Sequence, residues 1–196
     1  MRDIEFGAAV FGGIRMLDQS EQESPAADAL SGYATLYDIP HSGDAGPDIF
    51  APGVFAESLK SGLPIRILLD HDPAALLGST ADGLELTDTA SGLAFRFTPH
   101  RGALRKIGQR RQMSVAYRVA RDGFISRRGE RMRLIHQALL SEISIVHKGA
   151  VPGTCCVRAS AAGSLADDVQ SGQLALRVAI WREFGTLASR IRELAV

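Results

Sequence analysis

The sequence predicts a mainly β (α+β) fold in which short strands and a few helices form a barrel or a sandwich. Apolar and polar residues alternate over much of residues 31–160, and Gly, Pro and Asp interrupt the alternation at short intervals, as is typical of strands joined by turns. Helical spacing of apolar residues is limited to a few segments. Since 45% of the 196 residues are hydrophobic, the chain can bury one sizeable core.

Turn signals and alternation locate the individual elements. The sequence DTASG, residues 88–92, separates two short apolar runs and predicts a β-hairpin. Residues 113–120 alternate cleanly, which places Ser114 on the face opposite the apolar one. Residues 131–146 are compatible with one long strand or with two strands joined by a bend. The predicted strands are 32–37, 64–70, 84–86, 93–97, 113–120 and 131–146, and the predicted helices are 52–61 and 103–111.

Four segments are expected along the chain. Residues 1–30 form a flexible N-terminal lead-in, residues 31–160 the folded domain, and residues 161–172, which are small and polar, a linker. Residues 173–196 form a C-terminal amphipathic helix, because apolar side chains recur there at spacings of three and four residues. We expect this helix to pack on its own domain, and the alternative is that it docks on a partner.

The charge of the chain is balanced overall but uneven locally. Lys plus Arg and Asp plus Glu both number 22, so net charge gives no reason to expect nucleic acid or a membrane as a partner. Residues 1–60 contain ten acidic and three basic residues, whereas residues 101–133 contain eleven basic and two acidic ones. This pattern is most simply a solvated Arg-rich face. The alternative is a docking surface for an acidic partner or for the acidic N-terminal segment.

The two cysteines, Cys155 and Cys156, are neighbours in sequence, and adjacent cysteines rarely bridge because the intervening peptide would be strained. A reducing cytoplasm is therefore the expected compartment. The N-terminus, with its acidic start and interrupted apolar stretch, does not resemble a signal peptide. No apolar run approaches the ~20 residues that a membrane span requires.

The sequence argues against the common metal and nucleotide chemistries. None of the five histidines lies in an HExxH motif or a close His/Cys cluster, so neither a metal nor another cofactor is expected. The chain also lacks the GxGxxG, P-loop and GxSxG motifs, which argues against nucleotide-binding folds and α/β-hydrolases in their common forms.

His71 and Ser114 are placed as a catalytic base and a nucleophile would be. His71 follows an apolar strand at the point where it becomes a loop, so its side chain is held rigidly and still faces a cleft. Ser114 lies on the polar face of a strand, and a catalytic serine needs a base within hydrogen-bond reach and a third group to orient that base. The structural alternatives are a capping or surface role for His71 and a packing role for Ser114.

Glu142 is the candidate for the third catalytic group. It lies in the sequence LLSEISIV, where a carboxylate interrupts an otherwise apolar strand. A buried carboxylate is costly without a partner, so one is expected. That partner is either the catalytic base or an Arg of the basic stretch.

At these residues the sequence resembles the prohead (procapsid) protease family of tailed phages. The resemblance covers roughly residues 31–158. It begins with GYATLYDIPHSGDAGPDIFAPGVFAESL, continues with LLDHDPAALLGS around His71 and RRQMSVAYRV around Ser114, and closes with LLSEISIVHKGAVPGTCCV. Each segment alone is a weak signal, whereas their order and spacing together are specific.

The resemblance implies a fold and a set of roles. The fold is a helix-decorated β-barrel similar to that of the herpesvirus assembly proteases. His71 is implied as the base and Ser114 as the nucleophile, and we expect them on adjacent strands. Glu142 occupies a place comparable to the second histidine of the herpesvirus relatives, so we expect it to orient His71. Asp72 and His136 are the alternatives for this third position.

The implied function is that of a serine endopeptidase that cleaves scaffold and capsid-protein segments, and itself, during procapsid maturation in the cytoplasm of a bacterial host. The major capsid protein and scaffold segments are the expected substrates, and a homo-oligomer is expected. We expect self-cleavage within residues 155–172. The alternatives are a catalytically inactive capsid-assembly or scaffolding factor on the same fold, and a cysteine hydrolase that uses Cys155 or Cys156 with His147.

Overall fold

The computed structural model of the protein describes residues 29–43, 46–127 and 129–170. Within these ranges the chain forms ten strands and three short helices, so the predicted mainly β class is confirmed. The strands make two sheets, and in this part of the chain their hydrogen bonds do not close either sheet into a ring. Residues 1–28 of the predicted lead-in and the predicted C-terminal helix, residues 173–196, lie outside the described residues.

The elements of the described residues are short, apart from two long strands. In chain order they are β1 (Ala29–Leu36), β2 (His41–Gly43), β3 (Gly46–Phe50), α1 (Ala56–Lys60), β4 (Arg66–Leu69), β5 (Asp72–Ser79), β6 (Glu85–Asp88), β7 (Gly92–Phe97), α2 (Arg101–Ile107), β8 (Gln112–Arg127), β9 (Glu130–Val146), β10 (Cys155–Ala159) and α3 (Leu165–Gln170).

The first sheet is antiparallel and has the strand order β10-β1-β7-β6. Its β6–β7 pair is the hairpin predicted around DTASG, and the hydroxyl of Thr89 closes the turn on the carbonyl of Gly92 at 2.8 Å. The two inner strands, β1 and β7, are buried along their whole length. Gly32 of β1 allows a close approach of β10, because a Cβ at this position would lie 1.8 Å from the carbonyl oxygen of Cys155.

The second sheet is organised around β9. This strand pairs with β8 along one edge over its whole length, and along the other edge it pairs in parallel with β3 and then with β4. The strands β2 and β5 complete the sheet. Residues 131–146 therefore belong to one long strand with irregular register, which is the first of the two possibilities that the sequence allowed.

One continuous cluster of buried apolar side chains draws on both sheets. It includes Leu36 and Phe95 from the first sheet and Ile67 and Ile143 from the second, all completely buried. Burying a side chain of this size contributes about 1.5–3 kcal/mol to stability, so the cluster holds the site-bearing strands in place. None of the helices formed by the described residues is long and apolar enough to cross a bilayer.

The predicted helices are present but differ in extent. Residues 52–61 form a helix only from Ala56, because the chain first makes a turn at Gly53, where φ is 78°. The helix expected at 103–111 runs from Arg101 to Ile107 and ends at Gly108, whose φ of 59° lies in the left-handed region that favours glycine.

The segment expected as a linker contains a helix that packs on the first sheet. Leu165 of α3 is 4% exposed and joins the core. Arg96 of β7 forms an ion pair of 2.5 Å with Asp168 of α3, and it also donates a hydrogen bond to the carbonyl of Ser160. The small, polar composition predicts a loose segment, but one apolar side chain and one long-range ion pair hold the described part of it against the domain.

Candidate active site

The β8–β9 hairpin carries Ser114 and Glu142 on one face. Strand alternation sends Ile143 and Ile145 of β9 into the core, so Glu142 and Ser144 lie on the other face. In the antiparallel pairing, Ser114 of β8 stands directly opposite Ser144. Directly opposed residues have Cα atoms about 4.5–5.5 Å apart, so Ser114 lies beside this polar pair.

A β-bulge at Ser141 determines the face on which Glu142 lies. Leu140 and Glu142 pair with consecutive residues of β8, so Ser141 is an extra residue on β9, and its hydroxyl donates to the carbonyl of Ala116 at 2.9 Å. Leu140 belongs to the core. Simple alternation would place Glu142 on the same face as Leu140. The bulge therefore moves the carboxyl group to the face that carries Ser114.

His71 lies in the turn between β4 and β5, where the backbone is unusual. Asp70 and His71 have φ angles of 50° and 61°, in the left-handed region that non-glycine residues adopt only when their surroundings hold them there. β4 runs parallel to β9 as far as Leu69, which pairs with Ile145, and the N–H of Asp70 bonds to the carbonyl of Ile145. The chain then turns back, so the N–H of His71 donates to the hydroxyl of Ser144 at 3.2 Å.

The imidazole of His71 is hydrogen-bonded to the carboxyl group of Glu142. Nδ1 of His71 lies 2.5 Å from Oε1 of Glu142, and the hydroxyl of Ser144 donates to the same oxygen at 3.1 Å. The side chain of His71 is 40% exposed and that of Glu142 is 6% exposed. When Nδ1–H donates to the carboxylate, Nε2 is the nitrogen left to accept a proton from a nucleophile. The buried carboxyl group thus has a histidine and a serine as its partners rather than an arginine.

The carboxylates that flank His71 in sequence bind elsewhere. Asp70 accepts two hydrogen bonds from the guanidinium of Arg110, at 2.9 and 2.6 Å, and this partner holds the pKa of Asp70 below its usual range. Asp72 accepts a hydrogen bond from the N–H of Ala74. Among the described residues, the carboxyl group that meets the imidazole is that of Glu142.

The strand that carries Glu142 lies between the strands of the other two candidates. β9 has β4 on one edge and β8 on the other, so the expectation that His71 and Ser114 lie on adjacent strands is wrong. The turn after β4 compensates for the extra strand because it directs His71 back over β9. His136, an alternative to Glu142, lies on β9 beside Gly123 of β8, six residues before Glu142.

Two other chemistries find little support in the described residues. Cys155 and Cys156 form no disulfide and are buried in the first sheet, and burial raises the pKa of the Cys156 thiol to about 12. A thiol that stays protonated is a poor nucleophile, which argues against a cysteine hydrolase. Within residues 29–43, 46–127 and 129–170, no three His, Cys, Asp or Glu side chains are grouped as metal ligands would be.

Comparison with known proteins identifies the family. Residues 15–164, more than half of the chain, match the family described as caudovirus prohead serine protease. The chain belongs to this family. The family expected from the sequence is therefore confirmed.

Two solved structures of herpesvirus proteases are similar to this chain. The structure of varicella-zoster virus protease has 15% sequence identity and a TM-score of 0.40, over 67% of this chain and 63% of that one. The structure of KSHV protease in complex with a hexapeptide phosphonate inhibitor has 11% identity and a TM-score of 0.44, over 81% of this chain and 76% of that one. The chain thus spans less than two thirds of the varicella-zoster virus protease. No curated protein sequence matches this chain.

The candidate site of this chain includes two residues that the sequence did not single out. Ser144 had a usable signal, because it follows Glu142 by two residues in an apolar strand and so lies on the same face. Arg110 had none, because its partner Asp70 is 40 residues away in sequence.

Proposed function

We propose that this chain is the endopeptidase that cleaves capsid-protein and scaffold segments during procapsid maturation, with Ser114 as nucleophile, His71 as base and Glu142 as the group that orients the base. The observation that carries the proposal is the hydrogen bond between Nδ1 of His71 and Oε1 of Glu142, on the sheet face that also carries Ser114. A serine nucleophile is activated by an imidazole that takes its proton and by a carboxylate that orients the imidazole.

The reaction is acyl transfer in two stages. Oγ of Ser114 attacks the carbonyl carbon of the scissile peptide while Nε2 of His71 takes the hydroxyl proton, and Glu142 stabilises the imidazolium that forms. The imidazolium then gives its proton to the leaving amine, and water hydrolyses the acyl-enzyme by the same route. Because His71 is 40% exposed, a peptide can reach it, whereas the 6% exposure of Glu142 limits competition from water for the carboxylate.

The proposed place of action is the procapsid inside the bacterial cytoplasm, where the major capsid protein and scaffold segments are the substrates. Family membership supports this, because the family is that of prohead proteases. Confinement with the substrates raises their effective concentration, so the enzyme can act there with modest intrinsic affinity. We further propose that it works as a homo-oligomer and without a cofactor.

The enzyme is also proposed to cut itself within residues 155–172. In the described part of this segment, β10 is paired with β1, and residues 165–170 form α3, so the largely exposed loop 160–164 is the accessible peptide. Cleavage of a loop requires less local unfolding than cleavage of a paired strand or a helix. A cut there would separate α3 and all that follows it from β10.

The test is co-expression with the major capsid protein of the same phage, followed by intact mass spectrometry of both proteins. The wild type is expected to shorten the capsid protein and its own chain of 21.0 kDa. Ser114→Ala is expected to leave both at full length. Ser126→Ala is the matched control, because Ser126 is an exposed serine on the same strand, and it should cut like the wild type.

Each outcome has a distinct meaning. Equal cleavage by the wild type and by Ser114→Ala would refute Ser114 as the nucleophile and point to a host protease. A full-length chain beside a shortened capsid protein would refute self-cleavage and leave the assignment of the catalytic residues in place.

A further inference from the structure

Ser144 lies among the three proposed catalytic residues. Its side chain is completely buried, its hydroxyl donates to Oε1 of Glu142 at 3.1 Å, and it accepts the N–H of His71 at 3.2 Å. Its partner across the hairpin is Ser114. One hydroxyl group therefore contacts two of these residues and stands opposite the third.

The contact with Glu142 restricts the carboxyl group. A glutamate side chain has three rotatable bonds, so a single hydrogen bond leaves it free to reorient. Here the same oxygen receives a hydrogen bond from Nδ1 of His71 and another from Ser144. Two donors from different directions hold the carboxylate plane in one orientation, and the hydroxyl does so without adding a competing charge.

The contact with His71 supports a strained turn. Two successive non-glycine residues at positive φ, Asp70 and His71, persist only if their backbone groups are held. The N–H of Asp70 bonds to the carbonyl of Ile145, and the N–H of His71 bonds to the hydroxyl of Ser144. Adjacent residues of β9 thus hold both strained residues, and the second contact is made by a side chain.

We propose that Ser144 is a positioning residue of the catalytic centre, whose single hydroxyl joins the carboxylate of Glu142 to the left-handed turn of His71 and thereby sets the direction of Nε2. The inference rests on the proposed function, in which His71 is the base. Because Ser144 is completely buried, a bound peptide should not contact it, so its loss should lower kcat and leave KM unchanged. Loss of one hydrogen bond to a charged group corresponds to about a 10- to 100-fold decrease in kcat.

The kinetic test compares two substitutions of Ser144 with a control substitution of a serine remote from the site, using the capsid protein as substrate. Ser144→Ala and Ser144→Cys should both lose activity to this extent, because alanine has no hydrogen-bonding group and the slightly larger thiol hydrogen-bonds only weakly. Ser126→Ala is the control, since Ser126 is an exposed serine of β8 that pairs with Arg131, at the far end of the hairpin from Ser144. It should keep kcat within about twofold of the wild type.

Two further measurements separate positioning from a general structural role. In a Glu142→Gln background, Ser144→Ala should lower kcat by a much smaller factor than in the wild type, because the two residues act on His71 as one unit. In a Ser114→Ala background, the NMR signal of the Nδ1 proton of His71 should shift or broaden on Ser144→Ala and stay unchanged on Ser126→Ala.

The proposal is overturned if Ser144→Ala leaves the Nδ1 signal unchanged and kcat within about threefold of the wild type. It is also overturned if the effects of Ser144→Ala and Glu142→Gln on kcat are fully additive. If Ser114→Ala proves as active as the wild type, the proposed nucleophile is wrong. The His71 signal then still shows whether Ser144 positions the imidazole. If Ser144→Ala does not fold, Ser144→Cys carries the same comparison.

Discussion

Arg96 in the first sheet and Glu142 in the second are both buried charged side chains with a charged or titratable partner, but their surroundings differ. Arg96 is 4% exposed, and its partner Asp168 belongs to α3, so this pair fastens a helix to the sheet. Glu142 is equally buried, but its partner His71 is 40% exposed and lies in a turn. The Arg96–Asp168 ion pair connects a strand to a helix, whereas the Glu142–His71 hydrogen bond connects a buried carboxyl group to an exposed imidazole.

This difference shows how one kind of interaction serves structure in one place and chemistry in another. A guanidinium keeps its proton under all ordinary conditions, so the Arg96 pair can only hold elements together. An imidazole can exchange a proton with a substrate, and the exposed ring of His71 is open to one. A buried acid behind an exposed base is the arrangement that suits catalysis, and four substitutions test that distinction.

The largest effect is expected from His71→Gln. The amide can still donate a hydrogen bond to Glu142, but it cannot take the proton of Ser114, so the cleavage rate should fall by about 10⁴-fold or more. The melting temperature should change little. Initial rates with the capsid protein and a thermal melt measure both, and a variant with the wild-type rate would show that another group is the base.

Glu142→Gln should have a somewhat smaller effect on the rate. The neutral amide keeps the shape of the side chain but cannot stabilise an imidazolium, so the rate should fall by about 10²- to 10⁴-fold. The circular dichroism spectrum should match that of the wild type. A wild-type rate would show that the His71–Glu142 hydrogen bond is only structural, as the Arg96–Asp168 ion pair is expected to be.

Arg96→Met should lower stability and leave catalysis unchanged. Breaking a buried ion pair costs about 3 kcal/mol in the free energy of unfolding, at the lower end of the usual range because Asp168 is 21% exposed. Urea denaturation measures this cost, and kcat of the folded variant should equal that of the wild type. Arg105→Met, on the exposed side of α2, is the control that removes a charge without breaking a contact. A loss of rate without a loss of stability would mean that the two pairs do not differ in role.

The smallest effect is expected from Asp70→Asn, which breaks a more exposed ion pair with Arg110. At pH 7 the melting temperature should fall by about 1–2 °C. Because Arg110 lowers the pKa of Asp70, the stabilisation is complete above the ordinary aspartate pKa of about 4 and is lost as the pH falls through the lower pKa of the folded state. The difference between variant and wild type should therefore shrink below about pH 4, and a constant difference would assign it to something other than the ion pair.

Local pattern accounts for much of the fold that the sequence predicted. Alternation located the strands, and DTASG located the β6–β7 hairpin, because both depend on residues next to one another. The order of the strands did not follow from such patterns. β9 pairs with β4, whose residues are more than 70 positions earlier, and neither strand has a sequence feature that predicts this pairing.

The sequence by itself determined which residue types are available for chemistry and, where alternation is regular, which face they occupy, as it did for Ser114. Only the tertiary structure decided the rest. The bulge at Ser141 moves Glu142 to the face of Ser114, and the left-handed turn brings His71 back over β9. The physical reason is that alternation results from the geometry of neighbouring residues, whereas a bulge or a strained turn persists only when contacts from distant segments support it.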